Sequence, residues 1–218
     1  MVAVSRETVL SNLPVGADPE QLERLHDLLA TDAVEQGLIG PREAPRLWDR
    51  HIGNSLWPAL PATGLVPDSW AVADVGSGAG LPGLVWAIAR PDLTVTLVEP
   101  LLRRATFLER VVVDLGLNDR VTVIRDRAEN LAPGQWDAAT ARAVAPLARL
   151  LGWTLPLVRR DGVVLALKGS SAQDEIAAAT GIVARLKAGR PEIVACGPTE
   201  APEATRVVVV PRTAPNRG

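Results

Sequence analysis

The chain has 218 residues, of which 47% are hydrophobic and 22% charged, and its formal charge is −2. This composition supports a folded core in one domain with at most a modest appendage, and it excludes a chain disordered throughout. A total so near zero excludes nucleic-acid binding through bulk positive charge and leaves only a local basic face for that purpose.

A single cysteine, Cys196, excludes an internal disulfide and any cysteine-based zinc site. His26 and His51 lie far apart and match no metal-ligand spacing, so no metal is expected. No apolar run reaches the roughly 18 residues of a membrane helix. The first residues, MVAVSRETVL, lack a basic stretch followed by a long apolar one. A soluble, cytoplasmic monomer with no membrane partner is the expectation. Of the 23 basic residues, all but Lys168 and Lys187 are Arg. Residues 1–70 carry a balance of −5, residues 71–160 one of +2 and residues 161–218 one of +1. The chain therefore reads as an acidic helical extension over residues 1–66, followed by a mildly basic main domain over residues 67–218.

Asp18-Pro19-Glu20 has the pattern of a helix N-terminus, and Leu22, Leu25, Leu28 and Leu29 follow at helical spacing. Gly40-Pro41 breaks the chain, and a further helix is predicted over about 43–57. Pro58, Pro61, Gly64 and Pro67 then read as a linker. Beyond it strands and helices alternate. Strands are predicted at 70–75, 93–99, 120–125, 137–142 and 162–168, with helices to about 90, over 101–115, near 147–155 and near 171–187. Strands near 192–196 and 205–210 have no helix between them, which predicts an antiparallel edge hairpin. The whole is an α/β fold: a mostly parallel, seven-stranded sheet with helices on both faces.

The segment Asp74-Val75-Gly76-Ser77-Gly78-Ala79-Gly80-Leu81-Pro82-Gly83 joins the first strand to its helix. Glycines there permit a tight turn and close approach of a ligand, and ligands of open α/β sheets sit beyond the carboxyl ends of the strands. Gly78 to Gly83 fits the dinucleotide pattern, with Glu99 21 residues after Gly78 at the ribose-binding position. Asp74, however, is unfavourable beside a pyrophosphate and favourable beside an ammonium or sulfonium. S-adenosylmethionine carries both cations, so it is preferred to NAD. An RNA or small-molecule methyltransferase, an NAD-dependent oxidoreductase and a non-catalytic donor-binding module remain alternatives, and Asp74 has a second reading as a cap on the following turn.

Further motifs stand in order along the chain: Arg50-His51 with Ser55-Leu56, the glycine loop, Arg103 to Leu108, Arg127-Ala128-Glu129, Ala141 to Ala145, and Ala166-Leu167-Lys168-Gly169. As an ordered set they resemble the RsmG (GidB) family, bacterial methyltransferases that modify a guanine N7 in the decoding-site loop of 16S ribosomal RNA. The resemblance spans about residues 41–171 and implies a Rossmann-like methyltransferase sheet with added N-terminal helices. It also implies that Gly76, Leu81, Ala128, Glu129 and Arg142 contact S-adenosylmethionine, beside Asp74, Gly78, Gly80 and Glu99 from the loop reading. The implied partner is 16S rRNA, free or in the small subunit or its precursor. Asn54 departs from the Asp common in the family.

Guanine N7 offers an in-plane lone pair and no proton, so its methylation requires no general base. Cys196, late in the chain, reads as a small buried hydrophobe rather than a nucleophile. His51, Arg142 and Lys168 are the candidate substrate-positioning residues. Arg142 is expected at the donor carboxylate or the RNA. Lys168 is expected at the RNA backbone or guanine O6, with a structural ion pair as the other reading. Arg103 and Arg104, with Arg42, Arg46 and Arg50, are candidates for phosphate contact.

Overall fold

Five strands run parallel: β1 (Ala71–Val75), β2 (Thr94–Val98), β3 (Val121–Ile124), β4 (Trp136–Arg142) and β5 (Val158–Lys168). β6 (Glu192–Cys196) and β7 (Thr205–Pro211) complete the sheet, with β7 antiparallel to both β5 and β6. The order is β3-β2-β1-β4-β5-β7-β6. This computed structural model describes residues 4–198 and 204–213.

The strands are near-continuous apolar runs because both sheet faces are covered; β4 is buried from Trp136 through Ala141. After β1 the chain moves to β2 on one side and later returns to β4 on the other. The carboxyl ends of β1 and β4 therefore form the topological switch point where such sheets bind ligands.

Helices α1 (Arg6–Ser11), α2 (Pro19–Ala30) and α3 (Asp32–Glu35) precede the sheet. Asp18 caps α2 through the N–H groups of Glu20 and Gln21, at 2.9 and 3.3 Å. Leu22, Leu25, Leu28 and Leu29 point into one continuous core with Leu84 and Trp86. Those two lie on α5 (Gly83–Ala89), every residue of which is buried. A helix apolar all round needs cover on all sides, and α5 receives it from the sheet on one face and the N-terminal helices on the other. Trp86 Nε1 donates to the carbonyl of Ser55 at 2.7 Å, pinning the two halves together.

The helix predicted over 43–57 is instead a series of tight turns. Residues Ala44–Arg46 form a 3₁₀ turn, Leu47–Gly53 a π turn, α4 is only Asn54–Leu56, and Trp57–Ala59 is again 3₁₀. Pro45 and Pro58 interrupt regular helix hydrogen bonding, and the wide turn re-aims Arg50 and His51. The Pro-rich segment after it is no loose linker. The buried Arg90 guanidinium bonds the carbonyls of Ala59 and Val66 and the carboxylates of Asp68 and Asp92.

Helix α6 (Leu102–Asp114) shares this core with α2 and α5, and on the other face of the sheet are α7 (Leu147–Thr154), α8 (Ala172–Ala178) and α9 (Thr180–Arg185). The single helix predicted over 171–187 is thus split between Ala178 and Thr180. β5 starts four residues earlier than its apolar run, because its polar entry, Arg159-Arg160-Asp161, still pairs at Val158 with Trp136.

Candidate active site

The glycine loop is hung from the end of β2: the N–H groups of Gly76 and Ser77 donate to the Val98 carbonyl at 2.8 and 3.2 Å. Gly76 has φ +71°, and a Cβ there would lie 2.8 Å from a Val144 methyl. Glycine is thus required for both conformation and space. The loop borders a cavity of about 570 Å³ whose walls include Gly76, Gly78, Leu81, Glu99, Ala128, Glu129 and Arg142. Seven of the nine expected donor-binding residues therefore meet in one place.

Asp74 and Gly80 do not line it. Asp74 is fully buried behind the loop; its Oδ2 accepts the Gly83 N–H at 3.0 Å, and Oδ1 has no partner. Burial pushes its carboxyl up to about 7, outweighing the Gly83 hydrogen bond. The geometry matches the alternative reading, a cap on the following turn, because Gly83 is the first residue of α5. Gly80, at φ +95°, is constrained by Leu84 and Leu108 packing beneath the turn rather than by the cavity. Glu99 does reach the cavity. Its two oxygens accept the N–H groups of Gly78 and Leu101, both at 3.0 Å. Each oxygen keeps a second lone pair for a ligand hydroxyl.

Arg142 ends β4. Its Nη1 donates to the His51 carbonyl at 3.0 Å and Ser55 Oγ at 3.1 Å. Its Nη2 donates to the Arg50 carbonyl at 2.9 Å and to His51 Nδ1 at 3.1 Å. All four terminal N–H bonds are thereby committed to protein, and only Nε–H is left. A two-pronged grip on a donor carboxylate, one of the two roles expected of it beside a contact with RNA, is not available to this arrangement. Instead Arg142 ties β4 to the turn over residues 50–55. Burial lowers the guanidinium to about 10, still charged at neutral pH.

A guanidinium can only donate, so His51 Nδ1 must accept, and the ring proton sits on Nε2. That proton is given to Glu43 Oε2 at 2.8 Å. Burial is the main cause holding His51 below its ordinary range, with Arg142 adding to it and Glu43 opposing. The His51 bond in turn lowers Glu43. At neutral pH the trio is therefore carboxylate, neutral imidazole and guanidinium.

Glu43, His51, Arg142 and Ala143 also border a second cavity of about 490 Å³, adjoining the first. Its other walls include Arg50, Asn54, Lys168, Glu175 and Arg206. Lys168 Nζ donates to the Ala145 carbonyl at 2.6 Å and pairs with Glu175 at 2.8 Å, and its side chain is only 7% exposed. The structural ion pair read as its alternative is what forms, and the ammonium anchors the loop after β4. Asn54 Oδ1 accepts the Thr205 hydroxyl at 3.1 Å.

The expected phosphate-binding arginines divide. Arg104 lines the first cavity and Arg50 the second. Arg42 and Arg103 are exposed and line neither, and Arg46 is drawn to Asp49. Arg206 was not anticipated. Its signal was a lone cation opening the run Val207 to Val210, which places it opposite Lys168 in the β5–β7 register. Trp153 and Leu38 to Gly40 also line the first cavity unforeseen, since nothing in a helix pattern or an acidic extension marks them as walls. Cys196 is buried on β6 and burial raises its thiol to about 11, so it holds no reactive thiolate. Among the described residues no cluster of His, Cys, Asp and Glu is placed to hold a metal.

Known proteins resemble this chain in sequence and in fold. A ribosomal RNA small subunit methyltransferase G from Nocardioides sp. is 58% identical over 176 residues, covering 80% of this chain and 68% of its own. One of the same name from Salinispora tropica is 52% identical over 192 residues, covering 85% and 78%. Among solved structures, an S-adenosyl-L-methionine-dependent methyltransferase fold from Methanococcus maripaludis matches with a TM-score of 0.63 at 11% identity, covering 100% of this chain and 98% of its own. A tRNA methyltransferase from Aquifex aeolicus matches with a TM-score of 0.57 at 13% identity, covering 75% and 69%. The GidB family profile, described as rRNA small subunit methyltransferase G, matches residues 18–201, and the chain belongs to that family.

Proposed function

We propose that this chain transfers the methyl group of S-adenosylmethionine to N7 of a guanine in the decoding-site loop of 16S ribosomal RNA. The observation that carries the reading is the pair of adjoining cavities at the switch point of the sheet, sharing the wall made by Glu43, His51 and Arg142. One cavity suits the donor and the other a nucleotide of the substrate. S-adenosylmethionine supplies a methyl group made electrophilic by its sulfonium. The first cavity has the size of a small-molecule site. Glu99 suits ribose hydroxyls, Ala128 and Glu129 on the cavity wall would flank the adenine end, and the Gly76–Gly78 backbone admits close approach.

The residues of the second cavity do positional work. Arg50 and Arg206 offer charge to the RNA backbone beside an otherwise neutralised Lys168–Glu175 pair. His51 has its only proton given to Glu43 and its lone pair given to Arg142, so it is no free base. That suits a nucleophile which carries no proton to remove.

The decisive experiment is nucleoside mapping after incubation with unmethylated 16S rRNA or 30S particles. Appearance of 7-methylguanosine at a single decoding-site position is expected. Methylation elsewhere, or none, would sink the assignment. Titration that found NADH bound and S-adenosylmethionine ignored would point to an oxidoreductase instead. Among the described residues no helix is long and apolar enough to cross a membrane, and we expect a monomer working on ribosomal RNA.

A further inference from the structure

The shared wall contains one feature that the reading above does not use. Glu43 borders both cavities, and its Oε2 is fixed by the His51 Nε2–H at 2.8 Å. Among the described residues no protein donor reaches its Oε1. A carboxylate is an odd neighbour for RNA, and its side chain is 39% exposed, so burial does not account for it.

Charge conservation supplies a reason. The N7 lone pair forms the new nitrogen–carbon bond while the carbon–sulfur bond breaks and its electron pair stays on sulfur. No proton is released. The positive charge held by the sulfonium in the first cavity must therefore move to the imidazole ring of the guanine in the second. The other charges around the wall oppose that arrival: Arg142 and Arg50 both lie beside it. Glu175, the other carboxylate of the second cavity, is consumed by Lys168, the Leu147 N–H and Ser171 Oγ. We propose that Glu43 is the counter-charge for the methylated guanine ring, placed on the wall the charge crosses and held there by the His51–Arg142 relay. This rests on the guanine N7 reading and goes beyond it by naming the group that meets the developing cation. Preorganised charge aimed at where charge develops is a common source of rate enhancement.

The test uses Glu43→Gln, which keeps an oxygen for the His51 Nε2–H and removes only the charge. Single-turnover methylation of 16S rRNA, with donor and RNA saturating, should fall about tenfold or more. The affinity for S-adenosylhomocysteine, whose sulfur is neutral, should stay within about threefold, which separates loss of charge from loss of shape. The binding readout compares 16S rRNA fragments carrying guanine or 7-methylguanine at the position the wild type modifies. Wild type should favour the methylated fragment several-fold more than Glu43→Gln does. An unchanged preference in the variant, or an unchanged single-turnover rate, would overturn the proposal. If the wild type forms no 7-methylguanine at all, the parent reading fails first, and the nucleoside map reveals that independently of the variant.

Discussion

At the scale of single residues, the site depends on polar groups that serve the protein before any ligand. Asp74 is the clearest case. Its folded carboxyl is raised to about 7 from an ordinary value of 3.8. A raised acid favours the folded state fully below its ordinary range, and that contribution is lost as pH climbs through about 7. Over that window the loss is on the order of 4 kcal/mol. Asp74→Asn keeps an acceptor for the Gly83 N–H and cannot ionise. Its melting temperature relative to wild type should therefore rise between pH 5 and pH 8, as followed by thermal denaturation at both values. A constant difference would show that the wild-type carboxyl does not titrate there. Arg142 makes the complementary point. Four bonds to Arg50, His51 and Ser55 need a planar fork, which a lysine does not have. Arg142→Lys should cost about 2–3 kcal/mol and should raise hydrogen exchange over residues 50–55 more than elsewhere. Uniform exchange would argue that the turn is held by other contacts.

At the scale of elements, the loop after β4 and helix α5 are the two members on which the site hangs. Ala143 occupies a left-handed conformation at φ +54°, and Val144 leans over Gly76. Such a loop persists only when its surroundings hold it, and Lys168 does so through the Ala145 carbonyl. Lys168→Ala should cost about 2 kcal/mol and should weaken donor binding and RNA turnover together, measured by titration calorimetry and single-turnover assay. Loss of turnover with intact donor binding would return Lys168 to a direct role at the RNA. Helix α5 acts from behind. Trp86→Ala removes a wholly buried ring and its bond to Ser55, and should cost about 3–5 kcal/mol by chemical denaturation. Strands and amphipathic helices were readable from apolar periodicity, because β1, β2, β4 and α2 bury what the pattern says they bury. The turns over 44–59 were not, since their bends answer to Arg142 and Trp86, which lie 27 or more residues away in the chain. The glycine loop announced its position but not the direction of Asp74: a carboxylate at a strand end looks alike whether it faces a ligand or a helix base.

At the scale of the whole molecule, the charge total conceals where positive potential lies. The acidic excess of residues 1–70 is partly spent internally. Asp32 pairs with Arg110, Asp68 with Arg90, and Glu43 faces His51. Two cations without a salt bridge stand where the carboxyl ends of the strands open. Arg206 at the start of β7 and Arg50 on the turn stand on the second cavity, and neither forms a salt bridge among the described residues. Cations that touch phosphate displace condensed counterions, so the logarithm of the binding constant falls with the logarithm of salt in proportion to the contacts made. Replacing Arg206 by Ala should lower the magnitude of that slope by roughly 0.7–0.9 and weaken binding to 16S rRNA, while S-adenosylmethionine affinity holds. Arg50→Ala should do the same, because its side chain is exposed and only its carbonyl serves Arg142. The pair together should lower the slope by about twice as much, if the two arginines meet separate phosphates. Arg103, exposed on α6 and outside both cavities, is the control: Arg103→Ala should leave the slope nearly unchanged. A larger effect at Arg103 than at Arg206 would move the RNA path from the β5–β7 edge to the β2–α6 side of the sheet.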